Sequence, residues 1–216
     1  MKKILSVVMT LVMTLTLAAC GQNLGNGAVS SSDPSSQENS TSSEESASNA
    51  VTSDSSTSGN VLVAYFSWSG NTQEMASYIA EQTGGDLLEI QPETPYPTDY
   101  NECGNVALAE RDNNERPAIA NLPESIDQYD TILVGYPIWW HTAPMIIGTF
   151  LESYDLTGVE VYPFTQSASM DTEQFDNSIN FVRDVAQGAT VHNGLFARPS
   201  DTETIGAYLS DNGLVQ

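Results

Sequence analysis

Between Val61 and Leu209 the sequence repeats one alternation five times: a short apolar run, then a stretch with helical spacing. The runs Val61–Phe66, Asp86–Ile90, Thr131–Tyr136, Val159–Phe164 and a weaker Thr190–Phe196 are short and rich in β-branched or aromatic residues, which predicts strands. The stretches 71–82, 100–113, 143–154, 172–187 and 202–209 predict helices. In the first of these Met75, Ala76, Ile79 and Ala80 fall on one helical face, and Gly84-Gly85 closes it. Pro117 lies beyond the end of the second, and Pro144 fits the first turn of the third. Residues 92–98 hold three prolines and exclude regular structure. Strands joined through helices run parallel with right-handed crossovers, and helices then cover both faces. The expected fold is therefore α/β, a doubly wound five-stranded parallel sheet. Ligands of such sheets sit outside the carboxyl ends of the strands, at the switch point in strand order. The loops after strands one, three and four are the places to look.

Two segments precede the domain. Residues 1–19 read as a secretory signal: Lys2 and Lys3, then an apolar stretch from Ile4 to Leu17 too short to be a spanning helix. Leu17-Ala18-Ala19-Cys20 resembles the lipobox of bacterial lipoproteins, which implies lipidation of Cys20; an ordinary secretory signal cut nearby is the alternative. Residues 20–60 are dominated by Ser, Thr, Asn, Gly and acids, a composition that cannot bury enough apolar surface to offset ordering. As a flexible tether this segment would reach roughly 35 Å. The chain would then be anchored, by lipid alone, on the extracytoplasmic side of a bacterial cell membrane. Residues 61–216 form the folded domain. There 23 acidic residues face four arginines, a formal charge of −19. That balance argues against nucleic acid, whose binding needs Lys and Arg on phosphates, and against direct contact with anionic lipid. With Cys20 lipidated, Cys103 has no partner and reads as a small buried apolar side chain. No His- or Cys-rich metal pattern is present.

The loop after strand one reads Ser67-Trp68-Ser69-Gly70-Asn71-Thr72. Hydroxyls and a glycine between a buried strand and a helix suit an anion cradle: backbone N–H groups point outward, the helix dipole favours negative charge, and Gly permits close approach. A polar turn with an Asn or Thr helix cap would use the same residue types. The loop has neither the Lys of an NTPase P-loop nor G-x-G-x-x-G, and no Lys or Arg occurs between Lys3 and Arg111. Any phosphate here is expected to be held without a cationic side chain.

Ser-x-Ser-Gly-Asn-Thr after a first strand resembles the FMN-phosphate loop of flavodoxins. Together with Pro95-Tyr96-Pro97-Thr98-Asp99-Tyr100 and Gly135-Tyr136-Pro137-Ile138-Trp139-Trp140, it makes residues 61–212 similar to the flavodoxin-like family, including its secreted and lipid-anchored members. The resemblance implies FMN as cofactor, with Ser67, Trp68, Ser69, Gly70, Asn71 and Thr72 around its phosphate. The loop after strand three, Pro137, Ile138, Trp139, Trp140 and His141, offers flat apolar walls for a tricyclic ring. Two adjacent Trp do not readily share one core, so Trp139 or Trp140 is expected to face the site. His141 is either a donor near the flavin or a plain loop residue; His192, in the weak fifth strand, reads as structural. In the loop after strand four the family has a Gly-rich turn that wraps the ring. This chain keeps Thr165 and Ser169 but has no Gly between them, and Met170 either packs on the ring or fills core.

These features point to an FMN-dependent electron carrier or oxidoreductase outside the cytoplasmic membrane, with donor and acceptor unspecified. The acidic domain should disfavour added negative charge on a flavin and lower its potential. Two alternatives stand beside this: an NAD(P)H-dependent quinone or small-molecule reductase, and a non-catalytic binding lipoprotein that has lost flavin.

Overall fold

The computed structural model describes residues 60–215; the expected signal, Cys20 and the expected tether up to residue 59 lie outside them. The elements run β1 (Val61–Tyr65), α1 (Asn71–Thr83), β2 (Asp86–Glu89), α2 (Tyr100–Asp112), β3 (Thr131–Pro137), α3 (Met145–Glu152), β4 (Glu160–Gln166), α4 (Thr172–Val185), β5 (Thr190–Val191), β6 (Leu195–Phe196) and α5 (Thr202–Asp211). Every strand pairing is parallel, in the order β2-β1-β3-β4-β5, with β6 beside β4. From β1 the chain goes outward to β2, then crosses back to β3 on the other side of β1. The loops after β1 and β3 leave the sheet in opposite senses and open a crevice between them.

The alternation of side chains along the strands builds two cores. Leu62, Ala64, Ile132, Val134 and Tyr136 face α3 and α4, burying Ile146, Ile147, Phe150 and Val182. Val63, Tyr65, Leu133 and Phe164 face α1 and α5, burying Met75, Ile79, Ile205 and Leu209. A parallel sheet is stable only with both faces covered in this way.

Two expected elements come out differently, each because of a proline. The third helix begins at Met145 rather than Ala143, since Pro144 is extended, with ψ 143°, and serves as its N-cap. Proline disfavours the helical region for the residue before it, which keeps Ala143 out of the helix. The fifth strand is split into β5 and β6. The carbonyls of Val159 and Val161 accept from Thr190 and His192, so the odd residues of β4 point towards the fifth position. Pro163 falls in that series and has no N–H to donate. Pairing resumes where Ala197 donates to the Thr165 carbonyl.

Candidate flavin site

The loop after β1 leads into the start of α1. Gly70 stands at the N-cap of α1 with φ 89°, a left-handed conformation that glycine adopts freely, and nothing lies within 4 Å of where its Cβ would be. Its N–H donates to the Ser67 hydroxyl at 3.1 Å. α2, α4 and α5 are each capped by an aspartate, Asp99, Asp171 and Asp201. α1, like α3, has no side-chain cap, so neither Asn71 nor Thr72 serves as one. The Thr72 hydroxyl, 1 % exposed, is the one buried side-chain oxygen among the described residues without a hydrogen-bond partner. Trp68 ties this loop to the proline segment by donating its indole N–H to the Pro97 carbonyl at 2.9 Å.

The loop after β3 supplies aromatic surface. Trp139 is half-buried and sets its ring edge-on to Phe66 and Tyr96, at centroid distances of 5.3 and 5.1 Å. Trp140 is 44 % exposed, and its indole N–H donates to the Gly104 carbonyl at 2.7 Å. The two rings therefore diverge, one braced by the core and one by α2, yet both line the same cavity with Ile138 and His141. Trp139 and Thr142 exchange backbone hydrogen bonds of 2.9 and 3.0 Å across a two-residue turn. Its central residues Trp140 and His141 have φ 47° and 67°, the signature of a type I′ turn. Such turns favour Asn-Gly; bulky residues there store strain, which is common where side chains are presented to a ligand.

The loop after β4 forms the facing wall. Thr165 is fully buried and its hydroxyl donates to the Tyr136 carbonyl, so that side chain joins two strands. Ser167 and Ser169 hydroxyls lie 3.3 Å apart, and Met170 N–H donates to Ser167 at 3.0 Å. Met170 has φ 51° and takes the left-handed position in this loop, where glycine is absent. Ile138 N–H donates to the Gln166 carbonyl at 3.2 Å and ties the second and third loops together.

Two adjoining cavities run across these loops. One, of about 480 Å³, is lined by Cys103, Gly104, Trp140, His141 and Ser169; the other, of about 590 Å³, by Ser69, Asn71, Glu74, Gln166 and Arg198. They share Trp68, Tyr100, Ile138, Trp139, Ser167 and Ala168, and each has the size of a small-molecule pocket. Arg198, Pro199 and Ser200, between β6 and α5, form a fourth wall that the sequence reading did not assign. Residues 67–72 themselves carry no cationic side chain, but Arg198 lines the cavity that Ser69 and Asn71 line. The signal was present, for Arg198 closely follows the last strand at its carboxyl end.

Behind the larger aromatic group, Tyr96 donates its hydroxyl to the nearly buried Glu110 at 2.8 Å. Burial pushes the Glu110 carboxyl up; the Tyr96 hydrogen bond opposes the shift and Glu115 adds to it. Burial and, secondarily, the Glu110 charge push the Cys103 thiol up as well, which opposes a reactive thiolate. His192 lies away from the cavities, stacked on Tyr162 at 4.1 Å and paired with Glu160. No cluster of metal-ligating side chains occurs among the described residues.

The flavodoxin family description matches residues 60–204, two thirds of the chain. The chain belongs to the flavodoxin family. A Bacteroides eggerthii protein described as a candidate flavoprotein is 35% identical, with 70% of this chain and 96% of that one covered and a TM-score of 0.62. A like protein from Bacteroides uniformis is 34% identical, with 70% and 98% covered and a TM-score of 0.63. A Lactobacillus acidophilus flavoprotein, solved in complex with FMN, is 27% identical, with 67% and 97% covered and a TM-score of 0.56. Among curated proteins none matches the chain. The flavodoxin assignment agrees with the sheet order and with the placing of all three expected loops at one crevice.

Proposed function

We infer that this flavodoxin binds FMN in the crevice and serves as an electron carrier or oxidoreductase, held outside the cytoplasmic membrane by lipid on Cys20. The observation that carries the flavin reading is the uncapped start of α1 beside a buried Thr72 hydroxyl without a partner. A phosphate monoester has acceptor oxygens for both the free N–H groups and that hydroxyl. Residues 67–72 would hold the phosphate. Pro137, Ile138, Trp139, Trp140 and His141 would bound one side of the ring and the chain from Gln166 to Ser169 the other, while Thr165, expected at the ring, is buried behind it with its hydroxyl on the Tyr136 carbonyl. FMN supplies the redox chemistry when bound; the protein fixes its orientation, excludes water and sets the surrounding charge. The Trp139 ring, braced by Phe66 and Tyr96, is a rigid wall, whereas Trp140 is half in solvent and can adjust to a ligand. The membrane reading rests on residues 1–20 and on the Ser-rich segment after them.

The test is a titration of apoprotein with FMN and with riboflavin, followed by flavin absorbance and tryptophan fluorescence. FMN should bind tightly and quench Trp fluorescence, with riboflavin far weaker. Absence of binding by either would return the domain to a non-flavin role. Separately, Cys20→Ala should shift the protein from the membrane fraction to soluble or unprocessed pools. An unchanged membrane fraction would remove the lipid anchor.

A further inference from the structure

We propose that Arg198 is the cationic clamp of the phosphate end, selecting a flavin that carries a phosphate over one that does not. This rests on the FMN reading above and adds a residue to it. Arg198 lines the cavity that Ser69 and Asn71, at the start of α1, and Ser200 also line. It is exposed, and among the described residues its guanidinium has no ion pair or side-chain hydrogen bond. In a domain with 23 acids and four arginines, an unpaired guanidinium is unexpected. The other three are engaged: Arg111 with Asp112, Arg116 with Glu152, Arg183 with Asn180.

The local charge explains the need. Glu74, in the first turn of α1, lines the same cavity and opposes a dianion there. Helix N–H groups and hydroxyls satisfy phosphate oxygens but leave two negative charges beside that carboxylate. A guanidinium presents paired N–H donors that match phosphate geometry and offsets the charge directly. The placing of Arg198 is set by the backbone. Ala197 N–H donates to Thr165, and Asp201 caps α5 while its own N–H donates to the Arg198 carbonyl at 3.0 Å. These bonds fix the two ends of the segment 198–200, which lines that cavity.

The experiment compares wild type, Arg198→Gln and Arg198→Lys, full chain without flavin, titrated with FMN and riboflavin at low and high salt. Removing one charge-assisted contact at an exposed position should weaken FMN by about ten-fold at low salt. The loss should shrink as salt screens the charge, and Arg198→Lys should lose less. Riboflavin affinity should not change. If Arg198→Gln binds FMN as wild type does, Arg198 does not touch the phosphate, while the flavin reading stands. If FMN and riboflavin weaken equally, the residue shapes the loop and the clamp is overturned. If wild type binds neither flavin, the FMN reading fails and the clamp fails with it.

Discussion

Replacing Thr72 by Val separates the needs of the empty protein from those of the loaded one. The side chain is 1 % exposed and its hydroxyl has no partner, so the flavin-free domain carries an unsatisfied polar group. Such a group costs about 1–3 kcal/mol. Val keeps the β-branched shape and has a helix propensity close to that of Thr, so little else changes. The apoprotein variant should therefore be more stable than wild type. For a domain of this size each kcal/mol moves Tm by about 2–4 °C, so the rise is on the order of 2–10 °C. The FMN affinity should move the other way. A hydroxyl donating to a charged oxygen contributes about 1.5–3 kcal/mol, a loss of roughly ten- to a hundred-fold. Because a ligand stabilises the folded state according to its affinity, saturating FMN should raise Tm less in the variant than in wild type. Differential scanning fluorimetry with and without FMN, plus an isothermal titration, reads all three quantities. A variant whose apoprotein melts lower than wild type, with FMN affinity intact, would show that the hydroxyl is satisfied and that Thr72 belongs to the core alone.

Two further substitutions probe the frame of the site. Gly135→Ala puts a Cβ 2.1 Å from Cζ and 2.3 Å from Cε2 of the fully buried Phe164 ring on the neighbouring strand; it should cost about 1–3 kcal/mol or more in urea unfolding, and unchanged stability would mean that the ring has room to turn. Glu110→Gln should raise Tm at pH 7 and lose that advantage below the ordinary Glu value of 4.5. The folded carboxyl is raised, so the folded state holds its proton more readily and wild-type stability falls as pH rises through that interval, while the Gln carbonyl still accepts from Tyr96. A Tm difference that stays constant from pH 4 to 7 would show that burial does not perturb this carboxyl.

The frame was legible because burial on both faces forces unbroken apolar strands, and because a helix between each pair leaves only parallel pairing. The site was legible for the same reason: strand polarity alone sends residues 67–72, 137–141 and 165–169 to one edge of the sheet. What the sequence concealed depends on hydrogen bonds between distant residues. Pro163 gives no sign of which neighbour it faces until the register of β4 is known, and only then does it break the fifth strand. Trp140 and His141 lack the Asn or Gly that marks a type I′ turn, so their positive φ angles follow from the closure between Trp139 and Thr142 rather than from propensity. The engagement of the Thr165 hydroxyl by Tyr136 is of the same kind. Arg198 was legible but not assigned: it closely follows the weak strand Thr190–Phe196 at its carboxyl end.

The charge distribution joins these details into one requirement. A domain of formal charge −19 repels both a phosphate dianion and any electron added to a ring nearby, and its cavity at the phosphate end includes Glu74. Binding there cannot come from the general field and must be built at short range, where hydrogen-bond direction outweighs net charge. The uncapped turn of α1 and the Thr72 hydroxyl are short-range groups of that kind, and Arg198 is the proposed third. The ring end needs no cation. That cavity is walled by Trp139, Trp140 and Ile138, with the buried Glu110 behind Tyr96 and the Arg111 guanidinium 5.9 Å from the Trp140 ring centre. On the proposed reading phosphate affinity and ring potential depend on different residues: neutralising Arg198 should weaken FMN binding, whereas neutralising acids around the crevice should raise the flavin potential.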